Sequence, residues 1–461
     1  MGKLAFGLWD SFGVHEMSRS TVAADIYEQH IREVQLAESL GYSSYFIIEH
    51  QNSHVGQITA PSVYLCAVAQ HTSRIRIGTM IYQLPLHNPL RLAQDAAMLD
   101  HLSRGRLEFG AGLGSHEHEF MRWNTSFAER RAMGDEALEI ILKAWTEETV
   151  TYEGKYWHFD EALPLPKPYQ QPHPPVWYAA HSQASWEYAA KHNFRVAQDL
   201  DVDEVIAEKF ELYRQVWRQY AHPGLMPQMF LMRAVHVAET DEIARAEVER
   251  PLLESEGLGV RGIAQTRVGF RGNPDTVTRS ARARGTPEQR ASYDWWIDNG
   301  LALVGSPETV RKKLEEHQRR IGYDVFCANH RIGTMPLEQV VKSLKLFGEE
   351  VWVFRYVISA SRRADFQMIP YESASHSKGC EHAPSIGGAQ GRVHRRGRQR
   401  HRRGRGWCAG RPPGPDEHSA VLIHRQLFGV NQVVFEVFQG LIIELQPALE
   451  DPIGNALLLL Q

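Results

Sequence analysis

The sequence predicts an α/β fold, a (β/α)8 barrel of the TIM type with insertions, followed by an atypical low-complexity C-terminal tail. Three observations carry that prediction. Short apolar runs alternate with longer amphipathic segments from the first residues to about position 350. Eight such runs occur, more than an open doubly wound sheet normally places in one domain. The first strand–helix turn, SFGVHEMSRS, holds a single glycine, so it lacks the Gly-rich dinucleotide loop that a doubly wound fold carries there.

The expected strands are 3–9, 44–48, 75–81, 107–112, 176–180, 194–197, 230–237 and 324–328. Their near-continuous apolar character suits strands covered on both faces. Helices are expected at 23–40, 60–70, 89–102, 129–145, 183–191, 203–220 and 335–350, with breaks at Gly41, Thr72-Ser73 and Ser103-Arg104-Gly105. Together they assign residues 1–355 to one barrel with two insertions. The first, 146–175, contains PLPKPYQQPHPPVWY and reads as an irregular ordered loop. The second, 241–300, starts acidic and helical and becomes Gly/Arg-rich; it reads as a lid over the barrel mouth or as a partly disordered segment.

Residues 356–461 differ in kind. An Arg/Gly run at 387–415 has almost nothing to bury, and an apolar stretch follows it. Disorder is the plain reading of the run, RNA binding the sharper one; no repeated aromatic interleaves with the arginines. The whole chain has 51 Lys+Arg and 55 Asp+Glu, a net charge of -4, yet residues 361–461 hold 13 basic and 9 acidic residues. The first 360 residues therefore carry a net charge of -8, which argues against nucleic-acid binding by the main body. Cys66, Cys327, Cys380 and Cys408 are too scattered for a disulfide scaffold or a zinc ribbon. Without a secretory leader or an apolar run long enough to span a bilayer, no membrane association is expected and the expected compartment is the cytoplasm.

A barrel places its chemistry at the carboxyl ends of its strands, so the residues there are the candidates. They include Trp9-Asp10, the run from Glu49 to His54, Thr79 to Gln83, Gly110 to His116, and Ala179 to Ser182. His50 is the candidate for acid–base work because an imidazole titrates nearest neutrality. Glu49 would orient it or pair with Arg76 or another Arg at the rim. The stretch HEHEF at 116–120 invites a metal reading, but His116 and His118 lack the spacing of a helical zinc motif and a clear third ligand, so no metal is expected. Gly110, Gly112 and Gly114 do not match the dinucleotide fingerprint; close approach to a flat cofactor or a tight turn explains them. Ser182 and Ser185 open the helix after the fifth strand, where hydroxyls and free amides either bind a phosphate or simply cap the helix. Trp9, Phe12, Tyr82 and Trp177 are expected to shape an apolar pocket.

The segments AESLGYSSYFIIEHQNS, SRIRIGTMIYQLPLHNPLRLAQDAAMLDHLSRGRLEFGAGLG and PPVWYAAHSQASWEYAAKHN resemble the bacterial-luciferase-like, flavin-dependent monooxygenases, over roughly residues 1–350. The resemblance implies a barrel that takes reduced FMN from a separate NAD(P)H:flavin reductase, activates O2 through a flavin C4a-peroxide and oxidises a small or medium apolar organic molecule, usually as a homodimer. It implies His50 as the catalytic His, a cis peptide at Met80-Ile81 beneath the flavin, and cofactor contacts at Thr79, Met80, Ile81, Gly112, Ala180, Ser182 and Ser185. Two positions depart from luciferase: Gln51 stands where it has a second His, and Leu113 where it has an Arg on the phosphate. The phosphate is then neutralised from elsewhere, with the arginines of 261–284 as one source, or it binds less tightly. Light emission is not expected. Alternatives within reach of the same barrel are a deazaflavin (F420)-dependent hydride-transfer dehydrogenase and a non-catalytic flavin-binding or subunit protein. A metal-dependent hydrolase built on His116 and His118 is a further alternative.

Overall fold

Eight parallel strands close on themselves in the computed structural model, which describes residues 4–13, 16, 22–52, 58–266 and 284–352. They are β1 (Ala5–Asp10), β2 (Ser44–Ile47), β3 (Arg76–Thr79), β4 (Leu107–Gly112), β5 (Val176–Ala179), β6 (Arg195–Gln198), β7 (Met229–Val237) and β8 (Val325–Asn329). Each pairs with the next in chain order, and β8 returns to β1 through Ala5↔Val325 to Leu8↔Ala328. All eight expected strands are barrel strands. The reason is physical: a strand buried on both faces must be apolar almost throughout, and that signal survives in the bare sequence.

The helices that cover the barrel begin with α1 (Ala23–Ser39), α2 (Pro61–His71), α3 (Pro89–Leu102), α4 (Glu117–Arg122) and α5 (Arg130–Thr146). They continue with α6 (Gln183–Lys191), α7 (Asp203–Trp217), α8 (Asp241–Thr266), α9 (Pro287–Arg290), α10 (Tyr293–Asp298), α11 (Pro307–Ile321) and α12 (Leu337–Leu346). Side chains such as Leu8, Tyr45, Ile77, Phe109 and Val196 fill the layer between strands and helices, against Val34, Leu65, Ala96, Ile141 and Trp186. The opposite strand faces fill the barrel itself with Trp9, Phe46, Met80, Trp177, Phe230, Met232 and Cys327. Near its amino-terminal end Glu108 ties the interior together, accepting from Arg76, from Arg195 at 2.9 Å and from the Trp177 indole at 2.7 Å.

Several elements depart from expectation, among them the short helices α4 and α10, which no expected helix covers. The first insertion is not wholly irregular: Val150–Glu153 and His158–Ala162 form an antiparallel hairpin. Its prolines all lie at 164 and beyond, so the first half keeps the amides a ladder needs. The Glu136 carboxylate holds the hairpin turn by accepting from the backbone N–H groups of Lys155, Tyr156 and Trp157. A strand at Ala302–Gly305 pairs with the upper part of β7, from Ala234↔Ala302 to Val237↔Gly305, and was hidden at the edge of the second insertion. Helix α11 was also missed, although Ser306 caps it and Pro307 opens it. The Gly/Arg-rich part of that insertion over 267–283, and the tail expected at 356–461, lie outside the described residues.

Beside the carboxyl end of β1 lies a buried charge network. His30 of α1 contacts Asp10 at 2.6 Å and Glu16 at 3.1 Å, and the Tyr45 hydroxyl donates to Asp10 at 2.8 Å. Arg331 closes it against Glu16 and Glu33. Burial alone would lower the His30 pKa, but the Asp10 charge and the bonds to Asp10 and Glu16 outweigh it and raise it to about 9. A pKa raised on folding stabilises fully below the unfolded value near 6.5, and that contribution disappears as pH rises through about 9. The thermal midpoint is therefore expected to fall more between pH 7 and pH 10 in the wild type than in His30→Gln. Parallel alkaline slopes for the two proteins would remove the assignment.

Candidate active site

The carboxyl ends of β2, β3, β4 and β5 are adjacent around the barrel, and the polar groups they carry meet on one rim. His50 follows β2, and its Nδ1 lies 2.8 Å from Glu119 Oε1. Glu119 is fully buried in the first turn of α4, where the helix N-terminus favours a negative charge. Its second oxygen accepts from Gln83 Nε2 at 2.7 Å. His116, the residue that precedes α4, brings its Nδ1 to 3.8 Å from the same Oε1, with its ring edge-on to His50 at 5.1 Å. Burial would raise the Glu119 pKa, but the neighbouring His50 and His116 and the Gln83 bond lower it below the usual carboxylate value. At neutral pH this group is a carboxylate that fixes one imidazole nitrogen of His50.

Glu49 does neither of the things expected of it. Its carboxylate accepts from Gln51 Nε2 at 2.5 Å, from the Gln83 N–H at 2.8 Å and from His87 Nε2 at 2.8 Å. Glu49 thus pins the loop after β2 to the segment after β3, while Arg76 is engaged with Glu108 inside the barrel. Gln51 also donates to the Thr59 carbonyl at 2.7 Å, so at this position it serves as a structural clamp.

The Met80–Ile81 peptide is cis. Thr79 Oγ1 donates to the Ile47 carbonyl at 3.2 Å, and the Met80 N–H donates to the same oxygen at 2.7 Å. The glycines of β4 make room for this segment: a Cβ at Gly110 would stand 1.9 Å from the Thr79 carbonyl, and one at Gly112 would stand 2.6 Å from the Ile81 side chain. Gly114 has φ +72° and sits against Gln83 and Phe120, which is a tight turn. Close approach of two strands and a turn therefore account for all three glycines.

Past β5, Ala180 is buried and its carbonyl accepts from Gln198. Ser182 precedes α6, accepts from the Ser185 N–H at 3.3 Å and lies 2.9 Å, hydroxyl to hydroxyl, from Ser185. Arg131 of α5 reaches both: its Nη2 donates to Ser185 Oγ at 2.7 Å and to Ser182 Oγ at 3.2 Å. Two hydroxyls, one guanidinium and a helix N-terminus make a receptor for a compact anion. Leu113 packs toward Gly134 of the same helix and contributes no charge. Of the arginines of 261–284, Arg284 faces Asp199 and Asp201, and the other side chains lie outside the described residues.

The profile of the family described as luciferase-like monooxygenase matches residues 4–324. The chain belongs to this family. Among curated relatives, limonene 1,2-monooxygenase of Rhodococcus erythropolis is 26% identical over 298 residues, covering 64% of this chain and 72% of its own. The oxygenase component of the flavin-dependent trigonelline monooxygenase of Acinetobacter baylyi is 26% identical over 320 residues, covering 68% and 86%. An uncharacterised protein of Sinorhizobium fredii is 32% identical over 195 residues, and there the match spans 56% of the relative and 42% of this chain. Among solved structures, a monooxygenase of Streptomyces bottropensis superposes with TM-score 0.65 at 26% identity, over 77% of this chain and all of its own.

Within this luciferase-like chain the aromatic expectations divide. Trp9 and Trp177 line the barrel interior with Phe46, Met80 and Phe230. Phe12 and Tyr82 face the outer layer instead, Phe12 stacked on His30 at 3.9 Å and Tyr82 on Phe109 at 5.1 Å. They belong to the packing under the helices rather than to a pocket. Among the described residues no helix is long and apolar enough to cross a membrane.

Proposed function

We propose that the protein is a monooxygenase that uses reduced FMN and O2 to oxidise a small or medium apolar organic substrate, with the reduced flavin delivered by a separate NAD(P)H:flavin reductase. The observation that carries this reading is the Arg131–Ser182–Ser185 receptor on the same rim as His50. Its donor set fits the phosphate of FMN, and it supplies the cation that Leu113 does not. Met80, Ile81 and Gly112, with Thr79 behind them, would seat the ring system, and Ala180 would border it. Reduced FMN would supply the electrons for oxygen activation.

The chain's own part is binding, orientation and proton handling. Glu119 engages His50 Nδ1, which leaves Nε2 as the nitrogen that meets the reacting group. The filled barrel interior of Trp9, Phe46, Met80 and Trp177 gives the mouth a dry floor and limits water from below. An apolar substrate is in keeping with the limonene-oxidising relative, and a reductase partner with the relative that is an oxygenase component. We further propose a homodimer as the working form.

Anaerobic titration of the full-length protein with photoreduced FMN, followed by mixing with O2 and a panel of terpenes, ketones and aldehydes, tests the proposal. Saturable binding and oxygen-dependent product are expected. Saturable binding of reduced F420 with hydride transfer and no oxygen incorporation would replace this reading with the dehydrogenase. Binding without turnover on any panel member would favour a non-catalytic flavin carrier.

A further inference from the structure

We propose that His50, His116 and Glu119 form a binding site for one late first-row divalent cation, of the class that includes Zn2+ and Co2+. This goes beyond the flavin reading: an ion on His50 and Glu119 Oε1 would replace the hydrogen bond between them, so the metal-loaded and the catalytically poised forms are alternative states of the same side chains. The three side chains come from two places in the chain, the loop after β2 and the start of α4, and each offers one donor atom within 4.8 Å of the others. The carboxylate oxygen Glu119 Oε1 is the common point, 2.8 Å from His50 Nδ1 and 3.8 Å from His116 Nδ1. Ligand atoms that each sit about 2.0–2.1 Å from a zinc-like ion lie roughly 3–3.4 Å from one another. The two separations straddle that range and the two imidazole donors lie within 4.8 Å of each other, so closing the set requires the imidazoles to turn toward a common point.

Two imidazoles and one carboxylate suit zinc, cobalt, nickel or ferrous iron far better than calcium or magnesium, and three protein ligands leave coordination positions open. The carboxylate is already oriented from behind: Gln83 Nε2 holds Oε2 at 2.7 Å and turns Oε1 to the imidazoles. Exposure is divided in the way an entering ion requires. The His50 and His116 side chains are 17% and 13% exposed, whereas Glu119 is 0% exposed. His116 caps no amide of α4 with its side chain, so a turn toward the ion does not cost the helix its cap. His118, the partner that the HEHEF spacing suggested, is not in the set. The pair that serves is His116 and Glu119, three apart along the chain, completed by His50 from another strand end.

The test is titration of metal-stripped, full-length protein with Co2+, read by the visible absorption of the bound ion, with Zn2+ competition to follow. The wild type is expected to bind one Co2+ that both His116→Ala and Glu119→Gln weaken at least tenfold and that His118→Ala leaves in place. The chain has 23 His in all, so the claim rests on the site lost in those variants rather than on total metal bound. Wild-type affinity and spectrum in both variants, or binding no tighter than that of scattered surface histidines, would overturn it. Circular dichroism is recorded on each variant; if Glu119→Gln unfolds, His116→Ala alone decides.

Discussion

Replacing Arg131 with alanine is expected to weaken FMN binding by about 10- to 100-fold, the equivalent of one charge-assisted contact worth about 1.5–3 kcal/mol. Arg131 is the only cation that reaches Ser182 and Ser185 among the described residues, and it does so from a different helix than theirs. Riboflavin, which lacks the phosphate, separates this effect from a general loss of the pocket. Its affinity should be the same in wild type and variant. Arg131→Lys should recover only part of the loss, because one ammonium cannot address two hydroxyl-bound oxygens with a planar fork. The side chain is partly exposed but its charge also offsets the burial of the Asp135 carboxylate, so a modest loss of thermal stability should accompany the change. An Arg131→Ala protein with wild-type FMN affinity would move the phosphate elsewhere and take the main support from the proposed function.

His50→Ala is expected to lower turnover by about 10²- to 10⁴-fold, the usual worth of a positioned acid–base group, while FMN binding persists. Glu119→Gln tests the layer behind it. Glutamine keeps the size and can still meet Gln83 and His50, but it removes the charge that holds His50 Nδ1 at 2.8 Å. As a positioning residue, Glu119 should affect kcat with little change in KM or in flavin affinity, and Glu119→Asp should restore part of the rate. A purely structural Glu119 would instead lower stability and leave the kcat of the folded fraction unchanged. Equal kcat in wild type and His50→Ala would withdraw the catalytic role from the rim altogether.

The barrel was legible because its demands are local. A strand sandwiched between a filled interior and a helical layer must be apolar at nearly every position, and each of the eight runs says so within a few residues. The elements that were missed send weaker signals. The hairpin at Val150–Glu153 and His158–Ala162 packs mostly exposed residues, and the strand at Ala302–Gly305 is four residues long. Strand-end logic likewise put His50, the Met80–Ile81 segment and Ser182 at the carboxyl ends of barrel strands.

Partnership was not legible. Glu49 adjoins His50 in sequence, yet it turns to Gln51, Gln83 and His87, while the carboxylate that meets His50 comes from 69 residues away. Arg131 sits among ordinary helix charges, and nothing local distinguishes it from Arg130 beside it, which donates to Phe127 instead. Only the closing of α5 against the start of α6 brings it to two serines more than 50 residues on. The sequence by itself determined the architecture and which strand ends face the mouth, because burial and periodicity act on neighbours along the chain. Tertiary structure alone decided which charge meets which, because an ion pair or a hydrogen bond depends on a few ångströms of space that no spacing in the sequence encodes.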